Sequence, residues 1–263
     1  MPRTAAAQVG TIKEATGSAR FESGQTIVLA SVYGPSQPRY SRHEEYDRAT
    51  LDVTFNLAAM PNVTNAGWGG LEEDGADDDS GDLGVGVGNA AGIVGSMVAS
   101  TTSAELVRRE REGVRILTQA LLPCIDVKAC PRTLIVIKVC VLRNDGAAMS
   151  AAINACSLAL LNAGIPLLYF PMALTYSVLD PGTGAGVLDP TAEHEARAAS
   201  TFVFTLRHMH TAPGAASDQH GLSVVQVHAT GVFAVEHIEV VSREALAAGP
   251  KLSRFFRSAV KTA

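Results

Sequence analysis

An α+β fold with mixed sheets and packed helices is what this 263-residue sequence predicts. Three observations lead there. Runs with strand character, β-branched or alternating apolar with polar, occur in both halves of the chain. An apolar, alanine-rich stretch at 147–162 reads as a helix closing the first half, and a second helix at 240–260 closes the other. Between the halves Gly164 and Pro166 mark a stop, so a strands-then-helix pattern occurs twice, split near residue 165.

The elements follow in order. Residues 16–21 lead into the turn signal Glu22-Ser23-Gly24-Gln25, then into TIVLASVY at 26–33, a strand that Gly34-Pro35 ends. In LDVTFNL (51–57), Leu51, Val53, Phe55 and Leu57 share one face and Asp52, Thr54 and Asn56 the other, as in a half-buried strand. Residues 67–96 hold ten glycines and an acidic run and few bulky side chains, which predicts a disordered surface loop. Helical character starts near Ser103, with Thr102 or Ser103 as cap, and Pro123 stops it. Residues 132–142 are apolar at nearly every position, which predicts a strand covered on both faces or set deep in an interface. After the turn Asn144-Asp145-Gly146 comes the alanine-rich helix, whose small side chains allow close approach to a sheet. Residues 169–179, 187–188, 198–207 and 222–235 are further strands, and the last helix is interrupted or kinked at Gly249-Pro250.

Composition narrows the function. Apolar residues make up 47% and charged residues 18%, enough apolar side chain for a core but little charge to coat a lone globule, as in a subunit that buries surface against neighbours. The net charge of -5 argues against unspecific attraction to phosphates. Seven of the acids lie in 72–82; outside that run 21 Lys and Arg face 19 acids, so a local basic patch remains open. The acidic run lacks the order of an EF-hand loop. The apolar stretch 134–142 is half the length a bilayer needs and contains Lys138, and the N-terminus has no apolar core of a signal peptide. Cys124, Cys130, Cys140 and Cys156 are spaced unlike any zinc framework, so an intracellular location with no structural metal and no cofactor is expected.

Four stretches carry a resemblance: GSARFESGQTIVLASVYGP (17–35), DRATLDVTF (47–55), NDGAAMSAAINACSLALLNAGIP (144–166) and VLDPTAEHEARAA (187–199). With the order of elements between them they resemble the ribonuclease PH family, and within it the ring subunits of the eukaryotic RNA exosome. The resemblance implies the ribonuclease PH fold (ribosomal protein S5 domain 2-like), a single domain over 1–263 with an acidic insertion at about 67–96. It also implies a place in a heterohexameric ring of ribonuclease-PH-like exosome subunits, beside cap subunits and an associated hydrolytic ribonuclease. Single-stranded RNA in a central channel, no membrane partner, and residence in nucleus, nucleolus and cytoplasm follow from the same resemblance.

Active members cleave RNA by phosphorolysis, which needs cations, hydroxyls and backbone donors around phosphate, and carboxylates near the leaving oxygen. Their phosphate cradle reads Asp-Gly-Gly-Thr-Arg-Thr at the start of the central helix. Here the run is Asp145-Gly146-Ala147-Ala148-Met149-Ser150, with Met149 in place of the arginine and Ala148 in place of the threonine. An arginine opening the preceding helix corresponds to Thr102. Methionine offers no donor for a bidentate anion contact, although backbone N–H groups at the helix start leave room for weak anion binding. Of the carboxylate cluster, Asp189 remains, Thr191 replaces the second acid and Glu195 stands at the third. Both losses predict a subunit without catalytic residues, Asp189 and Glu195 being remnants. The alternatives are an active phosphate-dependent 3′ exoribonuclease using Asp189 and Glu195, and a free RNA-binding protein outside the exosome.

The remaining polar residues have simpler readings. Asp189 would also serve as a turn cap before Pro190, and His194, Glu195 and Arg197 as solvated surface. His208 and His210 lack a third ligand for a metal, and His228 and His237 fit satisfied core or edge positions. Arg39, Arg42 and Arg48, with Tyr40 and Tyr46, are RNA-binding candidates or else parts of a solvated or interface loop. Arg108, Arg109, Arg111 and Arg115 alternate with Glu105, Glu110 and Glu112 as on an ordinary charged helix face.

Overall fold

The computed structural model describes residues 3–38, 44–57, 90–180, 182, 184–208 and 221–261, and of 90–103 the backbone alone. The chain divides into two units, residues 1–59 with 110–263, and residues 60–109. The second contributes the first turns of helix α1 (Ala90–Leu121). That helix starts earlier than expected from sequence, so residues 90–96 of the anticipated loop are helical; the acidic run lies outside the described residues. The glycines of this stretch weighed toward loop, whereas the alanines among them favour helix.

The first unit holds both sheets. In the first, β1 (Ala5–Val9), β2 (Gly17–Ser23), β3 (Thr26–Ser36), β5 (Leu134–Arg143) and β4 (Thr50–Leu57) are neighbours in that order, antiparallel except for β4 on β5. The second is antiparallel throughout, in the order β7 (Gly186–Leu188), β6 (Pro171–Val178), β8 (Ser200–His208) and β9 (Leu222–Gly231). Helix α2 (Ala148–Asn162) packs on β2 and β3 on one side and on β6 on the other, and every residue from Ser150 to Leu160 is buried. Ala151, Ala152, Ala155 and Ala159 keep side chain out of these contacts, so two sheets share one helix as cover. Gly17 has the same role at the helix end: a Cβ there would lie 2.3 Å from the Ala163 nitrogen. Helix α4 (Val235–Lys261) packs on β6, β8 and β9, burying Val241, Ala245, Gly249 and Phe256.

The two repeats of strands then helix are therefore as the sequence predicts, with five differences. Strand β1 was not anticipated, because alanine is a weak strand former; it exists through pairing with β2, with Ala5, Ala7 and Val9 against the core. Strand β3 continues past Gly34-Pro35 to Ser36 through a register shift against β5. Strand β5 is not covered on both faces within this chain: Ile135, Ile137, Val139 and Val141 are buried, whereas Lys138 and Leu142 are exposed. Helix α4 runs through Gly249-Pro250 without interruption, burying Val241 and Ala245 in the core of the second sheet before the proline and Phe256 against Phe21 and Phe170 after it. The short helix α3 (Ala192–Arg197) was also unforeseen; Thr191 caps it by accepting from the His194 N–H.

Cys124 and Cys156 are buried and Cys130 and Cys140 half-buried, and none of the four forms a disulfide. Among the described residues no helix is long and apolar enough to cross a membrane, and no His, Cys, Asp and Glu cluster fits a metal.

Candidate functional site

The turn before α2 is built from two consecutive left-handed residues, Gly146 at φ 85° and Ala147 at φ 53°. Asn144 Oδ1 accepts from the Gly146 N–H at 3.0 Å and holds this bend. Gly146 is required there, because a Cβ would lie 2.5 Å from the Pro190 carbonyl oxygen. The bend turns the carbonyls of Asp145 and Gly146 toward the start of the chain. Arg3 Nη1 donates to the Asp145 carbonyl at 2.7 Å, and Arg3 Nη2 to that of Gly146 at 3.1 Å. Thr26 Oγ1 also donates to the Gly146 carbonyl, at 2.7 Å, and accepts from the Asp145 N–H at 3.0 Å.

Asp189, itself left-handed at φ 57°, closes the other side. Its Oδ1 is 2.8 Å from Arg3 Nη2, and its Oδ2 accepts from Ser23 Oγ at 2.8 Å and from the Arg3 N–H at 3.2 Å. Both side chains of the pair are only 13% exposed. Asp189 is thus neither free nor a simple turn cap: it ties the chain start and β2 to the loop after β7. Glu195, from α3, accepts the Ala147 N–H at 2.7 Å. Burial is the main influence on its carboxyl and raises the pKa above the ordinary value, opposed by that N–H and by Arg3.

The positions of the expected phosphate cradle are accordingly occupied. The Ala147 N–H, which an anion at the helix start would use, is taken by Glu195, so the room left for weak anion binding at that donor is filled. Ser150 Oγ donates to the Ala147 carbonyl at 3.0 Å and accepts from Thr175 Oγ1 at 2.8 Å. Ala148 and Met149 are half-buried and pack against the main core. Thr102 is on α1 in the second unit, and its side chain lies outside what is described. A cavity of about 180 Å³ remains beside Arg3, Ser150, Asn154 and Asp189, below the roughly 300 Å³ at which ligand pockets begin. Arg3, Ser23 and Thr26 were not singled out from sequence. The available signal was a lone arginine ahead of a run of small residues, which nothing in the sequence links to Asp189.

The other candidates stand apart from this constellation. Arg39, Arg42 and His210 lie outside the described residues. Arg48 is exposed and paired with Glu45, with Asp47 at 3.9 Å, so its charge is neutralised locally. Arg132 covers the Tyr46 ring at 4.4 Å and is 3.6 Å from Glu44. His194 is not idle surface, since its ring sits 3.0 Å from Thr191 Oγ1 in the cap of α3. His228 is 3.7 Å from Glu112, and burial, opposed by that carboxylate, lowers its pKa. His237 is buried, but its Nδ1 has no partner among the described residues, so it is not a fully satisfied core histidine. Arg109 pairs with Glu105 at 2.7 Å, as on an ordinary charged face.

The profile of the 3′ exoribonuclease family, domain 1, matches residues 2–166, a range that includes Arg3, Thr26 and all of α2. The Exosome complex component Rrp41 of Thermococcus onnurineus is 31% identical over 160 residues, 61% of this chain and 50% of that protein. The RRP41 homolog of Arabidopsis thaliana is 30% identical over 166 residues, 63% of this chain and 54% of that one. The chain spans about half the length of these two relatives. A rice protein named Exosome complex exonuclease RRP46 homolog is 24% identical over 253 residues, 95% of this chain and 87% of its own. Among solved structures, rice Rrp46 matches with a TM-score of 0.70 at 24% identity, covering 99% of this chain and 96% of that one. An archaeal exosome core matches at 0.66 and 16% identity, covering 98% and 87%. These likenesses establish the α+β fold with its two packed sheets.

Proposed function

The chain belongs to the 3′ exoribonuclease, or ribonuclease PH, family, and from that premise we propose that it is a non-catalytic ring subunit of an RNA exosome. One observation carries this reading: the place where phosphate and an RNA end would meet is closed from within, by Arg3 on Asp189 and by Glu195 on the Ala147 N–H. Methionine at 149 and alanine at 148 add no donor that would compete for an anion. The similarity to rice Rrp46 over nearly the whole chain supports the ring assignment. The sequence stretches VYGP, RATLDV and VLDPT favour the subunit type called ribosomal-RNA-processing protein 46, with its mRNA-transport-named sibling as the other choice.

In this reading the chain pairs with different ribonuclease-PH-like subunits in a heterohexamer and supports cap subunits and a hydrolytic ribonuclease. It acts in nucleus, nucleolus and cytoplasm, with RNA passing along the ring. The test is nucleoside diphosphate release from poly(A), with and without inorganic phosphate, by the purified chain and by the assembled ring. No phosphate-dependent release is expected from this subunit. Release that Asp189→Asn abolishes would establish the active exoribonuclease instead. Native mass of the purified chain with candidate subunits tests the assembly: a stable monomer or homo-oligomer that ignores them would favour a free RNA-binding protein.

A further inference from the structure

A groove of about 1140 Å³ opens between the end of α2, the start of β6 and the last turns of α4. Its walls carry three large apolar side chains in the open, Leu161 at 42% exposure, Leu168 at 66% and Val260 at 40%. Exposed apolar side chains gathered in one concave place, unlike the same residues scattered singly, mark a surface that is covered in use. Around them stand the exposed cations Arg207, Arg257 and Lys261, and no carboxylate contributes to the lining. Among the described residues neither Arg257 nor Lys261 has an ion-pair partner, although the chain as a whole is acidic. Arg207 is held in place rather than free to swing: its Nε donates to Ser223 Oγ at 2.8 Å, and its guanidinium lies over the Tyr169 ring at 5.7 Å.

We propose that this groove seats a segment of a partner protein in which leucine or phenylalanine anchors are flanked by aspartate or glutamate. Charge complementarity selects the flanks, because an acidic segment meets three cations and no competing carboxylate. The floor selects the anchors. Single-stranded RNA would also seek the cations, but it needs free aromatic faces for its bases. Here the Tyr169 face is covered by Arg207, and Phe256 is buried against Phe170 at 5.1 Å between centroids. The exposed apolar side chains, Leu161, Leu168 and Val260, are all aliphatic, which suits a branched or aromatic side chain from a peptide and gives a base little to stack on beside half-buried Tyr169 and Phe170.

The test uses the full chain and three fluorescent probes in anisotropy titrations: a fourteen-residue peptide with leucine and phenylalanine anchors between glutamates, the same peptide with lysines for glutamates, and oligo(A) of equal length. Two surface variants accompany the wild type, R257E/K261E and Leu168→Glu, each checked for unchanged circular dichroism and unfolding midpoint. The acidic peptide is expected to bind, the lysine peptide not to, and both variants to weaken binding by roughly tenfold or more. Recovery of the lysine peptide by R257E/K261E would support the charge argument directly. No binding of the acidic peptide, equal binding of both peptides, or oligo(A) binding lost in R257E/K261E while the peptide is unaffected would each overturn the proposal.

Discussion

Arg3 Nη2 lies 2.8 Å from Asp189 Oδ1 and joins two residues 186 positions apart in the chain. The pair is little exposed and is completed by the Asp145 and Gly146 carbonyls on both Nη atoms and by Ser23 on the carboxylate, with Arg3 Nε left without a partner among the described residues. A carboxylate held this way anchors the chain start to the loop after β7.

Replacing Arg3 by Ala should therefore cost about 3 kcal/mol, since it leaves the charge of a largely buried carboxylate unpaired, while the Asp145 and Gly146 carbonyls keep the Ala192 N–H and Thr26 Oγ1 as donors. Arg3→Lys keeps the charge but not the planar fork and should fall between variant and wild type. Urea unfolding measures both, and amide exchange should rise across Ala5–Val9 in the alanine variant. A loss below about 0.5 kcal/mol for Arg3→Ala, the range of an ordinary surface change, would refute the anchor.

Glu195 gives a pH prediction. Its folded pKa is raised, chiefly by burial, so its contribution to stability is fully present below the usual 4.5 and is lost as pH rises through the folded value. Glu195→Gln can still accept from the Ala147 N–H and has no charge to desolvate. The stability of Glu195→Gln relative to wild type should thus increase between pH 4.5 and neutrality, read by denaturant titration at each pH. Glu195→Ala should instead lose roughly 1–3 kcal/mol at neutral pH, because the N–H is left without an acceptor.

Much of the fold was legible because its signals are local. Period two in Leu51–Leu57, the β-branched run from Thr26, and the alanine-rich stretch before Gly164 each state their own structure. Strand β1 was hidden because Ala5-Ala6-Ala7 has no preference that survives without β2 beside it. The candidate site was half legible for the same reason. Met149 and Ala148 could be read as missing donors from sequence alone, but the Arg3–Asp189 pair and the Glu195 contact depend on a chain closure that no local pattern records.

Restoring the cradle residues alone should fail. The double variant A148T/M149R supplies a hydroxyl and a cation, yet the Ala147 N–H remains capped by Glu195 and Asp189 remains paired with Arg3. Phosphate-dependent release of nucleoside diphosphate should stay at background. Turnover clearly above it would mean that the internal contacts yield to phosphate.

Gly146→Ala should destabilise by about 2 kcal/mol or more, adding the cost of a left-handed alanine to a contact with the backbone of Pro190 and Thr191. Gly10, also at positive φ but with open space within 4 Å of where a methyl would stand, is the control. Its alanine variant should lose less, and equal losses would show that backbone strain alone decides.

Thiol reactivity offers an independent check on the core. Cys124 is buried, with burial pushing its thiol up to about 12, and Cys156 is pushed higher still. Iodoacetamide on the native protein should label half-buried Cys130 well before either, as followed by peptide mass; early labelling at Cys156 would mean that α2 opens.

Because α2 is a wall common to both sheets, the chain cannot be divided at its natural midpoint into two independent folds. A fragment stopping at Pro166 would carry the helix but bare the flank that β6 covers, and the remaining piece would have its sheet without that roof. Duplicated in pattern, the two halves are inseparable in practice, so partial degradation should remove the chain as a whole and not leave a stable remnant.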